Sequence, residues 1–300
     1  MQVVVAVATY QRPALLAELL ASLRASDPPI GVTRRIVVVD NDPKGSAAPV
    51  VEAAGWDDVT YVVEADPGIA AARNRGLDLS TEEDEALIFV DDDERVHEEW
   101  LRELVGAWQK SGVEVVTGPV VSVFPPGTPR WITAGGFIQR RRHDSGTRLQ
   151  VAATNNTLLS LRFWRDTGSE RFDAAYSESG GSDTDFFLRL VQKGARIVWH
   201  DEAVVEEDVP ADRATFRWIW KRAVRGGSVQ ARIELGTIAR STLGRRLLVS
   251  LPYRALTFVG GAIRNRALLA RHLVPLAWQV GKLSALVGAR TREYRREDNA

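Results

Sequence analysis

The sequence has 300 residues, of which 45% are hydrophobic, so it can form a core that needs no disulfide or metal to fold. It contains no cysteine, which excludes a disulfide framework, thiolate metal sites and a cysteine nucleophile. The start, MQVVVAVATYQRP, lacks a basic segment followed by an apolar run and a small-residue cleavage site. We therefore interpret it as a first strand and not as a signal peptide.

The formal net charge of zero conceals an uneven distribution of charge along the chain. Residues 1–234 carry 27 Lys and Arg against 36 Asp and Glu, whereas residues 235–300 carry 12 against 3. Between Leu235 and Arg292 there is no acidic residue. Such a division favours two regions with different partners.

The first 120 residues alternate between strand and helix patterns. Short apolar runs predict buried strands, and the segments between them have the apolar spacing of helices, one of which starts with Pro13. The predicted strands are 3–7, 35–39, 59–63 and 86–90, and the predicted helices are 13–26, 47–54 and 68–79. This alternation predicts an α/β fold with a doubly wound, mostly parallel sheet.

The rest of the chain is less regular. A stretch rich in Pro, Gly and Arg, residues 125–148, predicts a loop or hairpin insertion. The other predicted elements are strands at 113–124, 149–161 and 197–199, a short helix at 184–192, and helices from about residue 213 to the end. The last of these form a helical extension to the α/β fold.

Acidic residues follow the predicted strands at the ends where open α/β sheets bind their ligands. Asp40 ends the second strand, and Asp91, Asp92 and Asp93 follow the fourth. Three adjacent carboxylates repel one another and are costly to bury unpaired. Mg²⁺ or Mn²⁺ resolves this repulsion, because a hard cation prefers carboxylate oxygens and also engages phosphate. The alternative is a solvated acidic turn that binds no metal.

Five segments of the chain carry a family resemblance: ATYQRP (8–13), VVVDN (37–41), PGIAAARNRG (67–76), FVDDDE (89–94) and GGSDTDFFLRL (180–190). In this order they resemble segments of the family 2 glycosyltransferases, which have the GT-A fold. The resemblance implies a GT-A catalytic domain over residues 1–226, with a nucleotide-binding half (1–120) and an acceptor half (121–226). It also implies a nucleotide-diphosphate-sugar donor, a divalent metal (Mn²⁺ or Mg²⁺) and inversion at the anomeric carbon.

The same resemblance assigns roles to residues of the nucleotide-binding half. Thr9 and Arg12 would lie beside the nucleotide. Asp40 would accept a hydrogen bond from the N3–H of a uracil or thymine base; the alternative is a helix N-cap. Arg73, with Asn74 as a second candidate, would face the nucleotide or its phosphates; the alternative is an exposed helix arginine.

The metal would bind at the Asp-x-Asp motif. Asp91 and Asp93 correspond to its outer carboxylates, and Asp93 is the first choice as direct ligand. Asp92, between them, is assigned to the nucleotide-binding residues. The resemblance suggests that His200, after the last predicted strand, completes the metal shell, with a purely structural role as the alternative.

Asp183 is the candidate catalytic base. An inverting transfer is a single displacement in which one carboxylate deprotonates the acceptor hydroxyl while the metal stabilises the departing diphosphate. The family usually has Glu-Asp at this point, whereas this chain has Ser182 and Asp183, a departure that bears on the acceptor contacts. The alternatives are that Asp183 is a simple N-cap, or that Asp185 is the base.

The C-terminal region, residues 227–300, predicts basic amphipathic helices. Its two apolar runs are interrupted by Arg254 in the first and by Arg271, His272 and Lys282 in the second, so neither is a clean transmembrane span. Apolar residues interleaved with arginine favour helices that lie on an anionic membrane surface. The alternative is an ordinary helical subdomain packed on the catalytic core. Nucleic acid is a poorer match, because the catalytic region is acidic.

These observations predict a metal-dependent inverting glycosyltransferase on the cytoplasmic face of the membrane. A UDP-sugar is the favoured donor, and the acceptor is a glycan or a polyprenyl-linked glycan, approaching through Arg140–Arg142 and the basic extension. One alternative is a nucleotidyltransferase, although ATYQRP offers only Arg12 to hold a triphosphate. The other is a non-catalytic nucleotide-binding or membrane-scaffold module.

Overall fold

The computed structural model describes residues 1–176, 180–236, 239–264 and 269–288. It divides the chain into two compact units. The first comprises Met1–Val121, residues 141–176 and Ser182–Asp208, and the second comprises Ser122–Arg140, residues 180–181 and the described residues from Val209 onward. The predicted boundary at residue 226 falls inside a helix of the second unit.

A mixed, mostly parallel sheet of eight strands forms the centre of the first unit, with the order β3-β2-β1-β4-β9-β6-β10-β8. A second sheet has the order β5-β11-β7. The strands are β1 (Gln2–Thr9), β2 (Thr33–Asp40), β3 (Val59–Val63), β4 (Asp84–Asp91), β5 (Glu94–Val96), β6 (Val115–Thr117), β7 (Val120–Val123), β8 (Arg148–Leu149), β9 (Thr157–Ser160), β10 (Ile197–Trp199) and β11 (Val205–Asp208). Strands β8 and β9 run antiparallel to their neighbours.

Helices cover both faces of the large sheet, as the α/β prediction requires. Alternate residues of β1 enter two different cores: Val3, Val5 and Val7 pack into one, and Val4 and Ala6 pack into the other. The helices of the chain are α1 (Pro13–Ala25), α2 (Ala48–Ala54), α3 (Ile69–Asp78), α4 (Trp100–Ser111), α5 (Arg130–Thr133), α6 (Leu161–Asp166), α7 (Ser182–Gln192), α8 (Phe216–Leu235), α9 (Arg240–Arg264) and α10 (Leu269–Leu286). Because both faces are covered, β1 is a continuous apolar run and not an alternating one.

The strands and helices predicted up to residue 90 are confirmed to within two residues at each end, whereas β5 and α4 were not predicted. The strand predicted at 113–124 is instead two strands in different sheets, separated by Gly118 and Pro119. A Cβ on Gly118 would lie 2.5 Å from the Ala203 carbonyl oxygen, so a larger residue would clash at this break between the two strands. The 125–148 insertion contains the short helix α5, and the strand predicted at 149–161 is interrupted by a turn before β9.

The second unit is mainly helical, and its helices α8 and α10 approach each other closely at glycines. An added Cβ at Gly281 would lie 1.8 Å from the Val224 carbonyl oxygen, and one at Gly227 would lie 1.9 Å from the Trp278 carbonyl oxygen. Lys282 of α10 also pairs with Glu234 of α8 at 2.6 Å. Within the described residues, no helix is both long enough and apolar enough to cross a membrane.

These close approaches predict the outcome of one pair of substitutions. We expect Gly281→Ala to destabilise the protein by about 2 kcal/mol or more, because neither backbone can move aside without disturbing the packing. Gly244→Ala in α9 is the matched control, since its nearest neighbour is a Leu286 side-chain carbon at 3.7 Å. Thermal unfolding measures both variants. A Gly281→Ala protein as stable as the control would contradict the close approach.

Candidate active site

The carboxyl ends of the central strands bring the predicted nucleotide-binding segments together. In the pairing of β1 with its two neighbours, Thr9 lies opposite Asp40 of β2, and Ala8 lies opposite Asp91 of β4. The three loops that follow these strands therefore start side by side at one edge of the sheet. This edge is where parallel α/β sheets bind ligands.

A network of side chains joins the loop after β1 to Asp91, Asp92 and Asp93 at the end of β4, which we call the acidic turn. The Thr9 hydroxyl donates to Asp92 Oδ2 at 2.8 Å. The Arg12 guanidinium lies 3.1 Å from Asp92 Oδ1 and 3.0 Å from Asp93 Oδ2. Burial raises the pKa of Asp92 to about 6, and the Arg12 charge and the Thr9 hydrogen bond only partly offset this effect. The side chains of Thr9, Arg12 and Asp92, which were predicted to bind the nucleotide, thus form one network of contacts with Asp93, a predicted metal ligand.

Arg73 links the acidic turn to the helix that carries the candidate base. Its guanidinium lies 3.4 Å from Asp91 Oδ1 and 3.4 Å from the Ser182 hydroxyl oxygen, which belongs to the first residue of α7. The Arg73 side chain is mostly buried, so it is not the exposed helix arginine of the alternative interpretation. Asp91 is further held by its backbone N–H, which donates to the Glu94 carboxylate at 2.9 Å.

Asp183 lies in the first turn of α7, next to the residue that Arg73 contacts. Its Oδ1 accepts a hydrogen bond from the Thr184 backbone N–H at 2.8 Å. Asp185, the alternative base, instead forms an ion pair with Arg189 at 2.9 Å. Burial raises the pKa of Asp185, and the charge of Asp173 adds to this effect. The helix begins at Ser182, so both aspartates lie within it and neither precedes it as a cap.

Asp40 is fully buried, and its carboxylate organises the loop that follows β2. Oδ2 accepts from the Ala47 backbone N–H at 2.7 Å and from the Tyr61 hydroxyl at 2.9 Å, and Oδ1 accepts from the Asp42 N–H at 3.0 Å. Burial and the contact with Asp40 raise the pKa of Tyr61 to about 12. Asp40 is not the N-cap of the following helix, because Ala47 holds that position, so its bonds fix the loop between β2 and α2. A contact between Asp40 and a base stays a prediction.

Two asparagines have structural roles that the sequence analysis did not assign. Asn41 donates to the carbonyls of Glu64 and Asp66 at 3.0 and 2.7 Å, and it accepts from the Gly68 N–H at 2.9 Å. It therefore fixes the start of α3, the helix that carries Arg73. Asn74, the second nucleotide candidate, instead exchanges two hydrogen bonds with the Phe172 backbone at 2.8 and 2.9 Å. Only the VVVDN motif pointed to Asn41.

His200 follows β10, as predicted, and both of its ring nitrogens face glutamates. Nε2 lies 2.8 Å from Glu103 and Nδ1 lies 3.4 Å from Glu202. Within the described part of the chain, the contacts of the ring involve these glutamates and neither Asp91 nor Asp93. The structural alternative has direct support, and metal binding by His200 stays a prediction.

The carboxylates of the acidic turn fit a divalent cation whose coordination shell is completed by the phosphate oxygens of a bound nucleotide and by water. Within the described ranges, no group of three or more His, Asp or Glu side chains is arranged to hold a metal alone. Asp91 and Asp93 are only partly buried, with 33% and 21% of their side chains exposed. Mg²⁺ is commonly held by one or two carboxylates together with phosphate oxygens and water. This donor set meets that requirement.

The order of the strands in the mostly parallel sheet, with helices on both faces, is that of the GT-A fold. The sequence model of glycosyl transferase family 2 matches residues 4–163, and that of glycosyl transferase family group 2 matches residues 86–287. The chain belongs to glycosyltransferase family 2 and is a glycosyltransferase, which confirms the resemblance, the fold and the enzyme class predicted from the sequence.

Individual relatives agree with this assignment. The succinoglycan biosynthesis protein ExoM of Rhizobium meliloti is 37% identical over 235 residues, covering 76% of this chain and 74% of ExoM. The pre-mycofactocin glycosyltransferase of Mycobacterium tuberculosis is 27% identical over 263 residues, covering 84% of this chain and 50% of that protein. The crystal structure of S. aureus TarS 1–349 superposes with a TM-score of 0.57 at 18% identity, covering 99% of this chain and 93% of TarS, and supports the fold.

Proposed function

We propose that this glycosyltransferase moves a sugar, with inversion, from a nucleotide-diphosphate sugar to a glycan or lipid-linked acceptor, and that it depends on a divalent metal. The observation that carries the proposal is the bridge made by Arg73, at 3.4 Å from both Asp91 and Ser182. It joins the candidate metal-binding turn to the helix of the candidate base. A displacement needs the metal site and the base to be held in the right geometry at one site.

The donor would bind at the edge formed by β1, β2 and β4. Asp91 and Asp93 would hold Mg²⁺ or Mn²⁺, which supplies a positive charge for the diphosphate leaving group. Arg12 and Arg73 lie within 3.4 Å of these carboxylates, which supports the proposal that both guanidiniums would also contact phosphate oxygens. UDP is the favoured nucleotide.

The acceptor hydroxyl would be activated by Asp183. Its carboxylate takes the hydroxyl proton as the acceptor oxygen bonds to the anomeric carbon. The bond from that carbon to the diphosphate oxygen breaks at the same time, and the electron pair leaves with the nucleoside diphosphate. Attack on the face opposite the leaving group inverts the anomeric configuration. Asp185 is the weaker candidate, because its carboxylate is paired with Arg189.

The relatives support the donor and acceptor classes. A TarS structure carries UDP-GlcNAc, and a structure of GalNAc-T7, with a TM-score of 0.55, contains UDP, GalNAc and Mn²⁺. ExoM is named for the biosynthesis of succinoglycan. By analogy, we propose a UDP-sugar donor and an acceptor that belongs to a growing polysaccharide or its lipid-linked precursor.

We also propose a location on the cytoplasmic face of the membrane, where lipid-linked acceptors are held. Supporting this are the basic, acid-free sequence from Leu235 to Arg292 and the arginines at 140–142. In this proposal the catalytic domain extends to about residue 226, and the helices beyond it provide the membrane contact.

A thermal-shift screen tests the donor assignment. UDP and UDP-sugars with Mn²⁺ or Mg²⁺ should raise the melting temperature by roughly 5 °C at about 100 times their Kd, because they bind only the native state. GDP and its sugars serve as the matched control for base preference. The same UDP-sugars should then release UDP when acceptor glycan is added. Stabilisation by GDP-sugars and not by UDP-sugars would overturn the nucleotide assignment.

A further inference from the structure

The geometry points to one outward face of α9 as the surface through which the protein binds an anionic lipid bilayer. This inference deepens the membrane location of the proposed function, because it names the helix, the face and the lipid chemistry. We call this surface the α9 face, and it consists of Leu248, Val249, Tyr253, Leu256 and Val259.

The opposite side of α9 is already occupied. Leu243 and Leu247 are buried in a cluster with Ala231 of α8 and Ala285 of α10. This packing fixes the rotation of α9 about its own axis. The residues on the other side of the helix must therefore point away from α8 and α10.

The α9 face is apolar and exposed. At about 100° per residue, its five members fall within one stripe along the helix. Their exposed fractions are 76% for Leu248, 77% for Val249, 60% for Tyr253, 72% for Leu256 and 53% for Val259. A contiguous apolar surface of this kind is unusual on a soluble monomer and marks an interaction site.

Two arginines lie on or beside the same face, a third contacts the ring of Tyr253, and their positive charge defines the charge of the partner. Arg245 falls within the stripe, Arg246 lies at its margin, and both are exposed. The Arg254 guanidinium lies 5.6 Å from the centre of the Tyr253 ring. Long arginine stems can cover apolar surface while their charges reach phosphate groups. With no acidic residue from Leu235 to Arg292, nothing on the helix would repel an anionic surface.

A lipid surface fits these features better than a protein partner. A second copy of the chain would place the arginines of one α9 face against those of the other, at a cost in repulsion. The chain's own last residues, ARTREYRREDNA (289–300), are almost entirely polar, so they are a poor match for an apolar stripe. Basic amphipathic helices with apolar residues on one face bind instead at the boundary between lipid headgroups and acyl chains.

Vesicle flotation with the full chain tests this inference. We compare vesicles of phosphatidylcholine alone with vesicles that contain about one third phosphatidylglycerol. The wild type should bind the anionic vesicles and lose binding as salt is raised. The double variant Leu248→Ser/Leu256→Ser should bind at least tenfold more weakly, because two large apolar side chains no longer enter the interface. Arg245→Glu/Arg246→Glu should weaken binding by roughly tenfold or more on anionic vesicles.

Matched substitutions elsewhere serve as controls. Ile30→Ser removes an exposed apolar side chain and Arg162→Glu reverses an exposed arginine, both in the first unit. Each should bind vesicles as the wild type does. Equal binding of the wild type to neutral and anionic vesicles, or unchanged binding by both α9 variants, would overturn the inference. So would a wild-type dimer that the α9 variants convert to a monomer.

A soluble assay separates this inference from the proposed function. The α9 variants should release UDP from a UDP-sugar as fast as the wild type when no vesicles are present, because no residue of the α9 face is among those assigned to the donor site. If the wild type binds vesicles but never turns over a nucleotide sugar, the proposed donor chemistry fails and the membrane surface stands. If turnover is normal and no form binds vesicles, the membrane surface fails alone.

Discussion

The Asp183→Asn variant should lose glycosyl transfer by roughly 10²–10⁴-fold, the range that a positioned general base contributes. Asparagine keeps the size of the side chain but cannot take the proton of the acceptor hydroxyl. UDP affinity should stay close to that of the wild type, because the acidic turn and its arginines are unchanged. Steady-state transfer and equilibrium UDP binding, measured on the same preparation, check the two halves of this result.

Asp185→Asn provides the matched control, two residues along the same helix. Its carboxylate is held by Arg189, so we expect a much smaller loss of transfer than in Asp183→Asn. Turnover at the wild-type rate in Asp183→Asn would remove this residue from the mechanism. A large loss in Asp185→Asn alone would assign the base to Asp185 instead.

Asp93→Asn should weaken the metal-dependent binding of UDP. The substitution takes a negative charge from the candidate cation site and from the ion pair that Arg12 makes with Asp93. Loss of an outer-shell partner of a metal already costs roughly 10–100-fold in affinity, and a direct ligand should cost at least as much. Calorimetric titration of UDP in the presence of Mn²⁺ measures this change.

Two further measurements make the Asp93→Asn result specific. In EDTA, the wild type and the variant should bind UDP with similar, weak affinity, since the variant lacks only the contribution of the metal. Asp166→Asn, an exposed aspartate of α6 that lies outside the site, should match the wild type in both conditions. An unchanged Mn²⁺-dependent affinity in Asp93→Asn would contradict the assignment of the metal site.

Local sequence patterns were sufficient to predict the strands and helices that build the site. The apolar runs that end at Asp40 and Asp91 became β2 and β4, and their carboxyl ends lie on either side of the end of β1 because both strands pair with it. The five family motifs identified Thr9, Arg12 and Asp92, which the structure joins in one group of contacts with Asp93.

Contacts between distant residues could not be predicted in this way. Arg73 and Ser182 are 109 positions apart, and no spacing rule indicates that their side chains meet. The roles of buried polar groups could not be predicted either. The Asp40 carboxylate, for example, accepts a hydrogen bond from Tyr61 of the neighbouring strand β3. His200 was predicted correctly to follow its strand. The partners of its ring could not be predicted, because Glu103 lies on α4 and Glu202 lies in the turn after His200, and their positions depend on how these elements pack.

The contacts of Arg12 and Arg73 have a consequence for how the enzyme is assembled. Their two guanidiniums neutralise much of the charge on Asp91, Asp92 and Asp93 within the polypeptide itself. The acidic turn can therefore adopt its shape during folding before any cation arrives, unlike a zinc finger, which stays unfolded without its metal. With the proposed metal dependence, removal of the ion by a chelator should abolish activity while the protein stays folded. Activity should return when the ion is added back.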